Sequence, residues 1–322
     1  MSVVRPPVAG PTRIVFLGSG GFAVPILDAL ATMPGVRLVG VASAPDRPSG
    51  RRGELTAVPV ARRARELGVA LLQPVRVRAA DAVGAIADLR SDLGVLADYG
   101  QIIPPALLAV PPRGILNVHP SALPRHRGAS PVAATIDAGD PIAAVSLIEM
   151  DEGLDTGPVV AMETWPLHGT ETAPELEAAA ARRGADLLVR TLADWLAGRR
   201  PAVPQAAEGA TLTRPLRRED ARLDPTRTAV ELERRVRAFQ PWPGSFVGTR
   251  EGRLIVHAAE VAPGQGGDRP GYLEADRDGL ALTTRDGRLR LVEVQLAGRR
   301  RTDAASVLRG APALAGQAVE LG

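Results

Sequence analysis

The stretch RIVFLGSGGFAVPILDALATM, from Arg13 to Met33, decides the fold class, because its hydrophobic period changes halfway along. The first part, RIVFLG, is a short apolar run that ends in glycine, as buried strands do. The second part has apolar residues at helical spacing, at Phe22, Ile26, Leu27, Leu30 and Met33. A strand joined to a helix through glycines is the building unit of α/β sheets.

The same alternation continues along the first part of the chain. We predict further strands at VRLVGVAS, VALLQP, DLGVLAD, GILNVHP, AAVSLIEM and GPVVAMETWPL. We predict helices at VPVARRARELG, AADAVGAIADLR, SPVAATIDAG and residues 172–197. This order predicts a doubly wound, mostly parallel α/β sheet that is covered on both faces. It gives a first domain of residues 1–197, in which we expect the catalytic site.

The pattern breaks after residue 197. Residues 198–215 are rich in proline, glycine and alanine, which predicts a linker. Residues 216–322 contain a helix near 229–239, five short apolar runs between turns such as DRDG and RDG, and a short helix near 303–308. Short strands at this spacing predict a small, OB-like C-terminal β-barrel domain.

The charges divide unevenly along the chain. Residues 1–209 hold 20 arginines and 21 acidic residues, net −1, whereas residues 210–322 hold 19 arginines and 15 acidic residues, net +4. A basic C-terminal domain is typical of proteins that bind a polyanion. The charge alone leaves an ordinary solvated surface equally open.

The composition excludes several classes of protein. The chain has no cysteine, which excludes disulfides, thiolate metal sites and cysteine nucleophiles. It has no apolar run of the roughly 18 residues that a membrane span needs, and its start, MSVVRPPVAGPTR, has no signal-peptide core. We therefore expect a soluble, cytoplasmic protein with no membrane partner.

The glycine turn after the first strand also fits a nucleotide-binding pattern. Residues 18–23, GSGGFA, match G-x-G-x-x-A, which binds dinucleotides in some α/β enzymes. The acid that would bind the ribose is missing from the end of the second strand, where residues 41–44 read VASA. A tight turn is therefore the simpler interpretation, and a nicotinamide enzyme is the alternative.

Polar residues follow two later strands. Asn117 and His119 are two positions apart in GILNVHP, so their side chains share one face at the edge where open α/β sheets bind ligands. The loop DEGLDTG, which contains Asp155, follows the next strand. A histidine can relay a proton, an asparagine can donate to an oxyanion, and a carboxylate can orient the imidazole. The set suits acyl or formyl transfer to an amine.

A purely structural role is as good an interpretation for each of these residues taken singly, because they would cap a strand or shape a turn. Asn117 is, however, the only asparagine, and lysine is absent altogether, as a bias towards G- and C-rich codons would produce. Neither glutamine nor aspartate is a short neutral donor. The retention of Asn117 therefore favours a function.

Several motifs resemble those of the 10-formyltetrahydrofolate-dependent formyltransferases. NVHPSALPRHRGASPV resembles the signature NVH-S-LP-RGA-P, and MDEGLDTGPVV resembles the loop MD-GLDTG. PDRPSGRRG, residues 45–53, resembles an insertion in members that act on methionyl-tRNA. The resemblance extends from about residue 12 to residue 310 through FLGSGGFAVPILDAL, DYGQIIP, RAFQPWPG and VQLAGRRRTDAASVLRG.

The resemblance implies roles for individual residues. It implies that the catalytic residues are Asn117, His119 and Asp155. It implies a folate site at Tyr99, Gly100, Gln101, Ile103, Ser121, Ala122, Leu123 and Pro124. It implies tRNA contacts at Arg51, Arg52, Arg214, Arg217 and Arg218.

The chain departs from the family pattern at three places. The usual turn GTP-[DE]-F is GSGGF here, which removes an acid near the substrate entrance. ELT replaces the usual lysines of the insertion, and a lysine near LTRPLRRED is absent. Arginine binds phosphate at least as well as lysine, so we expect tRNA binding to be retained.

The resemblance thus implies formyl transfer from 10-formyltetrahydrofolate to the α-amine of methionine on initiator tRNA, by a monomer that uses no metal. Two alternatives stay open, a sugar-amine formyltransferase and a tRNA-binding module whose formyl site has decayed. The segments QPWPG and AGRRRTDAASVL argue against the first alternative, and the intact catalytic trio argues against the second.

Overall fold

The computed structural model describes residues 10–49, 54–262, 269–277 and 279–320. Within these ranges no helix combines the length and the apolar character that a membrane span requires. The chain divides into two compact units, each with its own hydrophobic core. The first contains residues 1–131, 142–165 and 177–213, and the second contains residues 132–141, 166–176 and 214–322.

The first unit is built on a large sheet. The strands are β1 (Thr12–Gly18), β2 (Val36–Ala42), β3 (Arg47–Ser49), β4 (Glu54–Thr56), β5 (Leu71–Leu72), β6 (Leu93–Ala97), β7 (Ile115–His119), β8 (Arg127–Gly128), β9 (Ile142–Glu149), β10 (Val159–Pro166) and β11 (Leu212–Thr213). The helices along the same stretch are α1 (Ala23–Thr32), α2 (Pro59–Glu66), α3 (Ala80–Ala87), α4 (Pro105–Leu108), α5 (Pro131–Ala138) and α6 (Ala173–Leu196).

Seven of these strands form one sheet, in the order β10-β9-β7-β6-β1-β2-β5. Strands β5, β2, β1, β6 and β7 are parallel, and β9 is antiparallel to β7. The predicted doubly wound, mostly parallel sheet is therefore confirmed. The hairpin of β3 and β4 and the pair of β8 and β11 lie outside this sheet.

Strand β1 is buried on both faces. Ile14 and Phe16 belong to a core cluster that includes the apolar side of α1, whereas Val15 and Leu17 belong to a second cluster with Leu107. Alternate residues of a strand point to opposite faces. A run without polar positions, such as IVFL, is what a sheet covered on both faces requires.

The glycine turn after β1 joins the ends of neighbouring strands. The hydroxyl of Ser19 donates to the carbonyl of Tyr99, just after β6, at 2.8 Å. The same hydroxyl accepts from the backbone amide of Ala44, just after β2, at 3.0 Å. The turn therefore fixes the carboxyl edge of the sheet, where the predicted catalytic residues lie.

The second unit contains an antiparallel sheet. Its strands are β12 (Phe246–Thr249), β13 (Gly252–Ala262), β14 (Leu273–Asp276), β15 (Gly279–Thr284), β16 (Gly287–Leu296) and β17 (Thr302–Asp303), and the α-helices that follow Arg214 are α7 (Ala229–Ala238) and α8 (Ala304–Gly310). The order is β12-β13-β16-β15-β14, with β17 beside β16. Five of these strands match the predicted runs.

The C-terminal segment pairs with both edges of this sheet. The amide of Glu320 donates to the carbonyl of Gly248 in β12 at 3.0 Å. The amide of Val319 donates to the carbonyl of Gly271, just before β14, at 2.7 Å. Closure of the two edges through one segment gives the barrel-like domain that the sequence predicts.

Candidate active site

The carboxyl edge of the large sheet brings the three predicted catalytic side chains together. Asn117 and His119 lie on one face of β7 and are each 5% exposed. Asp155 reaches them from the loop between β9 and β10. Nδ2 of Asn117 donates to Oδ1 of Asp155 at 3.1 Å, and Nδ1 of His119 lies 3.6 Å from Oδ2. One carboxylate therefore contacts both strand residues.

Asp155 is held in an uncommon backbone conformation. Its φ of 52° lies in the left-handed region, where a residue other than glycine costs about 1–3 kcal/mol. The backbone amide of Gly128 donates to Oδ2 of Asp155 at 2.8 Å. Backbone strain of this kind clusters at functional sites, which supports a functional role for this loop.

A carbonyl group fixes the imidazole of His119. Nε2 of His119 lies 3.0 Å from the carbonyl oxygen of His126. A carbonyl oxygen can only accept, so we assign the hydrogen to Nε2 and the lone pair of the neutral ring to Nδ1. Nδ1 is thus the atom that can take up a proton, and Asp155 lies beside it.

The amide of Asn117 is oriented in the same way. An ionised carboxylate can only accept, so the nitrogen of the amide, rather than its oxygen, faces Asp155. An amide nitrogen has two N–H groups, and Asp155 occupies one of them. The second can donate to a ligand oxygen, as the stabilisation of an oxyanion requires.

A segment far along the chain supports this site. Residues 205–213, here called the strap, end in β11, which pairs in parallel with β8. Oγ1 of Thr211 accepts from the backbone amide of His126 at 2.8 Å, and Oγ1 of Thr213 donates to the carbonyl of Arg127 at 3.0 Å. At Gly128, with φ of 104°, a Cβ would lie 2.2 Å from the carbonyl oxygen of Thr213. The strap therefore packs directly on β8.

The predicted folate-binding residues lie on the segments that follow β6 and β7. Burial raises the pKa of Tyr99 to about 12. Oε1 of Gln101 accepts from the amide of Val77 at 2.8 Å, and the hydroxyl of Ser121 donates to the carbonyl of Arg125 at 2.7 Å. The side chains of Gln101 and Ser121 thus stabilise the protein itself. Of the others, Ile103 and Leu123 are buried, Ala122 and Pro124 are half-buried, and Gly100 is exposed.

The predicted tRNA contacts divide into three groups. Arg51 and Arg52 lie outside the described residues. The guanidinium of Arg214 donates two hydrogen bonds to Asp220, and this pairing lowers the pKa of Asp220 to about 2. Arg217 and Arg218 are exposed. Arg214 is exposed as well, and sequence alone does not show that an aspartate engages it.

The base of the hairpin formed by β3 and β4 is anchored to the first unit. Oδ1 of Asp46 accepts from Nε2 of Gln73 at 2.7 Å, and Oδ2 accepts from the guanidinium of Arg65 at 2.9 Å. The two strands pair from Arg47 and Thr56 outwards. The chain therefore enters the insertion from a fixed point.

Two acidic side chains lie at the glycine turn after β1. A Cβ at Gly20 would lie 1.7 Å from Oδ2 of Asp98, and one at Gly21 would lie 3.9 Å from Oε1 of Glu177. The turn GSGGF thus lacks the family's acid, but Asp98 and Glu177 bring carboxylates to this turn. A carboxylate opposes a bound pyrophosphate, which argues against the nicotinamide alternative.

We expect Asp98→Asn to stabilise the protein at pH 8 but not at pH 4. Desolvation by the surrounding protein atoms, and then the negative charge of Glu177, raise the pKa of Asp98 to about 6. The ionisation of Asp98 therefore opposes folding as the pH rises from roughly 4 to 6, and asparagine removes this penalty. Because Asp98 is exposed on one side and solvent screens the effect, we expect a Tm gain of ~1–3 °C at pH 8. Equal Tm differences at both pH values in thermal unfolding would contradict this expectation.

Family models and curated relatives match the chain over nearly its whole length. A model described as formyl transferase matches residues 12–192, and one described as formyl transferase, C-terminal domain, matches residues 215–312. The methionyl-tRNA formyltransferase of Halorhodospira halophila is 44% identical over 96% of this chain and 99% of its own length. The protein of the same name from Myxococcus xanthus is 42% identical over 92% of this chain and 95% of its own length.

Solved structures share the fold at lower identity. WlaRD, a sugar 3N-formyl transferase crystallised with dTDP and 5-N-formyl-THF, has a TM-score of 0.64 at 15% identity and covers 91% of this chain and 100% of its own. HypX from Aquifex aeolicus in complex with tetrahydrofolic acid has a TM-score of 0.57 at 19% identity over 92% of this chain and 46% of its own. At these identities the likeness concerns the fold alone.

Proposed function

This chain belongs to the formyl transferase family, and we propose that it transfers a formyl group from 10-formyltetrahydrofolate to the α-amine of methionyl-initiator tRNA, for the initiation of translation. Relatives named methionyl-tRNA formyltransferase support this acceptor, because they match both parts of the chain nearly end to end. The observation that carries the chemistry is the carboxylate of Asp155, which contacts both Asn117 and His119.

The three side chains divide the reaction between them. The co-substrate supplies the formyl group, and the amine of methionine attacks its carbon. The second N–H of Asn117 donates to the formyl oxygen as negative charge develops there. Nδ1 of His119 takes the proton that the amine loses, and Asp155 stabilises the imidazolium. The proton then passes to the folate nitrogen as its bond to carbon breaks, which leaves a formamide and tetrahydrofolate.

We place the folate on the segments after β6 and β7. The side chains of Gln101 and Ser121 bond within the protein, so we assign folate recognition to backbone groups and to apolar side chains. The proposal assigns no step to a metal, because the oxyanion and the proton each have a side-chain partner. A cytoplasmic location and a monomeric state stay predictions from the sequence.

A formylation assay tests the proposed function. The purified protein receives 10-formyltetrahydrofolate, with methionyl-tRNA and nucleotide-linked amino sugars as competing acceptors. Mass spectrometry then identifies the formylated product. We expect formyl-methionyl-tRNA. Preferential formylation of the amino sugar would favour the sugar-amine alternative, and tRNA binding without any transfer would favour a binding module.

We assign the tRNA surface to the insertion and to the basic C-terminal domain. Residues 210–322 carry a net charge of +4. Within the second unit, Arg217 and Arg218 are exposed, whereas Asp220 engages the guanidinium of Arg214. Arg217 and Arg218 are therefore better placed than Arg214 to bind phosphate.

We expect Arg51→Ala to slow formylation of methionyl-tRNA and to flatten its salt dependence. Each lost phosphate contact lowers the log–log slope by about 0.7 on single strands and about 0.9 on duplex. The measurement is the formylation rate against ionic strength. Arg182→Ala, at an exposed arginine of α6, is the control. Parallel salt curves for the wild type and Arg51→Ala would mean that Arg51 does not bind the nucleic acid.

A further inference from the structure

Gln205, the first residue of the strap, contacts the loop between β9 and β10, which contains Asp155, on both sides of Thr156. Nε2 of Gln205 donates to the carbonyl oxygen of Asp155 at 2.8 Å and to that of Gly157 at 2.7 Å. An amide nitrogen has two N–H groups, so both can be used here. The Gln205 side chain therefore holds the backbone of the residue whose carboxylate contacts Asn117 and His119.

Arg127 fixes the other end of the Gln205 amide. Nε and one terminal nitrogen of Arg127 donate to Oε1 of Gln205 at 3.0 and 2.8 Å. A guanidinium can only donate, so the amide oxygen must face Arg127 and the amide nitrogen must face the loop. Hydrogen bonds from a charged donor are also stronger than neutral ones. The orientation that the loop needs is thus set by a neighbouring charge.

The backbone and the carboxylate of Asp155 are held by neighbouring residues of β8. Arg127 holds the backbone through Gln205, and Gly128 donates its amide directly to Oδ2 of Asp155 at 2.8 Å. The preceding residue, His126, contacts His119 through its carbonyl. Any shift of the loop against β8 therefore changes the geometry of the whole trio.

We propose that Gln205 is a positioning residue for formyl transfer, which keeps Asp155 in its left-handed conformation with the carboxylate between Asn117 and His119. This inference rests on the proposed function. Loss of Gln205 removes the donor from two carbonyl groups and releases a backbone whose φ of 52° is intrinsically unfavourable. A displacement of about 1 Å at a catalytic group lowers a rate by as much as 10²-fold.

Two substitutions of nearly equal volume test the proposal. Gln205→Met removes the donor and the acceptor, whereas Gln205→Glu keeps an oxygen for Arg127 but turns another oxygen towards the loop carbonyls. Val203→Ala is the control, because its backbone pairs with Val159 and its side chain is 62% exposed. We expect kcat to fall about 10- to 100-fold in both Gln205 variants, with KM for 10-formyltetrahydrofolate within about twofold of the wild type. The control should match the wild type. Wild-type kcat in both Gln205 variants overturns the proposal.

A double-mutant cycle separates positioning from a general loss of structure. If Gln205 acts through Asp155, Gln205→Met should slow the Asp155→Asn protein no further in single-turnover assays. A loss of the same size in the Asp155→Asn background overturns the proposal, because Gln205 would then act elsewhere.

Nitrogen NMR gives a readout that needs no acceptor substrate. The protein has four histidines, and the spectrum of His119→Ala assigns the signals of His119. We expect the Nδ1 signal of His119 to shift in Gln205→Met, because Asp155 moves away from it. An unchanged signal overturns the positioning role even if the protein formylates methionyl-tRNA. A shifted signal in a protein that does not formylate methionyl-tRNA supports the positioning role and refutes the proposed function.

Discussion

Asn117→Asp is expected to lower kcat by more than about 10²–10³-fold, which is the loss for a single oxyanion donor. In the structure the amide nitrogen of Asn117 donates to Oδ1 of Asp155 at 3.1 Å. An aspartate would place a second carboxylate against the first and would face the formyl oxygen with negative charge. The two carboxylates would share a proton or move apart, and both outcomes disturb the partner of His119.

Asn117→Ala is the comparison that isolates the charge. It removes the donor without adding a carboxylate, so we expect it to be impaired but faster than Asn117→Asp. Single-turnover rates with saturating substrates measure the loss, and calorimetry with a folate analogue should show that binding is kept. An Asn117→Asp protein with nearly normal turnover would refute the oxyanion role and would also remove the significance of the chain's only asparagine.

His119→Ala is expected to lower kcat by roughly 10²–10⁴-fold, because the amine loses its general base. The side chain is 5% exposed and contacts the carbonyl of His126, so the alanine variant also leaves a cavity. His119→Gln fills most of that space and shows whether the loss follows the base or the packing. Both variants should lose the proton acceptor and hence most of the rate.

His168→Ala is the matched control for this prediction, since His168 is exposed. Added imidazole should restore part of the rate of His119→Ala and should leave His168→Ala unchanged, because only the first variant lacks a base beside the amine. Near-normal turnover of His119→Ala at wild-type folate affinity would show that another group accepts the proton.

The fold class could be predicted from local hydrophobic patterns in the sequence. RIVFLG is recognisable as a buried strand by its continuous apolar run, the helix after it is recognisable by apolar residues at helical spacing, and a glycine turn separates the two. Asn117 and His119 could be found for a related reason, since two positions along a strand place both side chains on one face. Asp155 could not be placed by such a rule, because β9 is antiparallel to β7 and the loop after β9 starts beside Ile115, at the amino end of β7. Its role came from the resemblance of MDEGLDTGPVV to the family loop.

The contacts that hold the catalytic side chains in place could not be predicted from such local patterns. Strands β8 and β11 have two residues each, and a stretch that short has no period. Thr211 contacts His126 across 85 residues of chain, and the composition around Gln205 is that of a linker. The acids at the glycine turn could not be predicted for the same reason, because Asp98 directly follows β6 and Glu177 lies in α6, far from the turn in sequence. Such contacts depend on tertiary packing, and local sequence does not encode them.

The strap sets the place at which this chain can be recombined with a relative. By its contacts the first unit runs to Thr213, almost to the end of the predicted linker of residues 198–215. A chimera joined at residue 200 would combine the Asp155 loop of one parent with the Gln205, Thr211 and Thr213 of the other. A crossover at Arg214 would keep the loop and its supports from a single ancestor. Exchange of C-terminal domains, in the laboratory or in evolution, is therefore safest at the C-terminal end of the predicted linker rather than at its start.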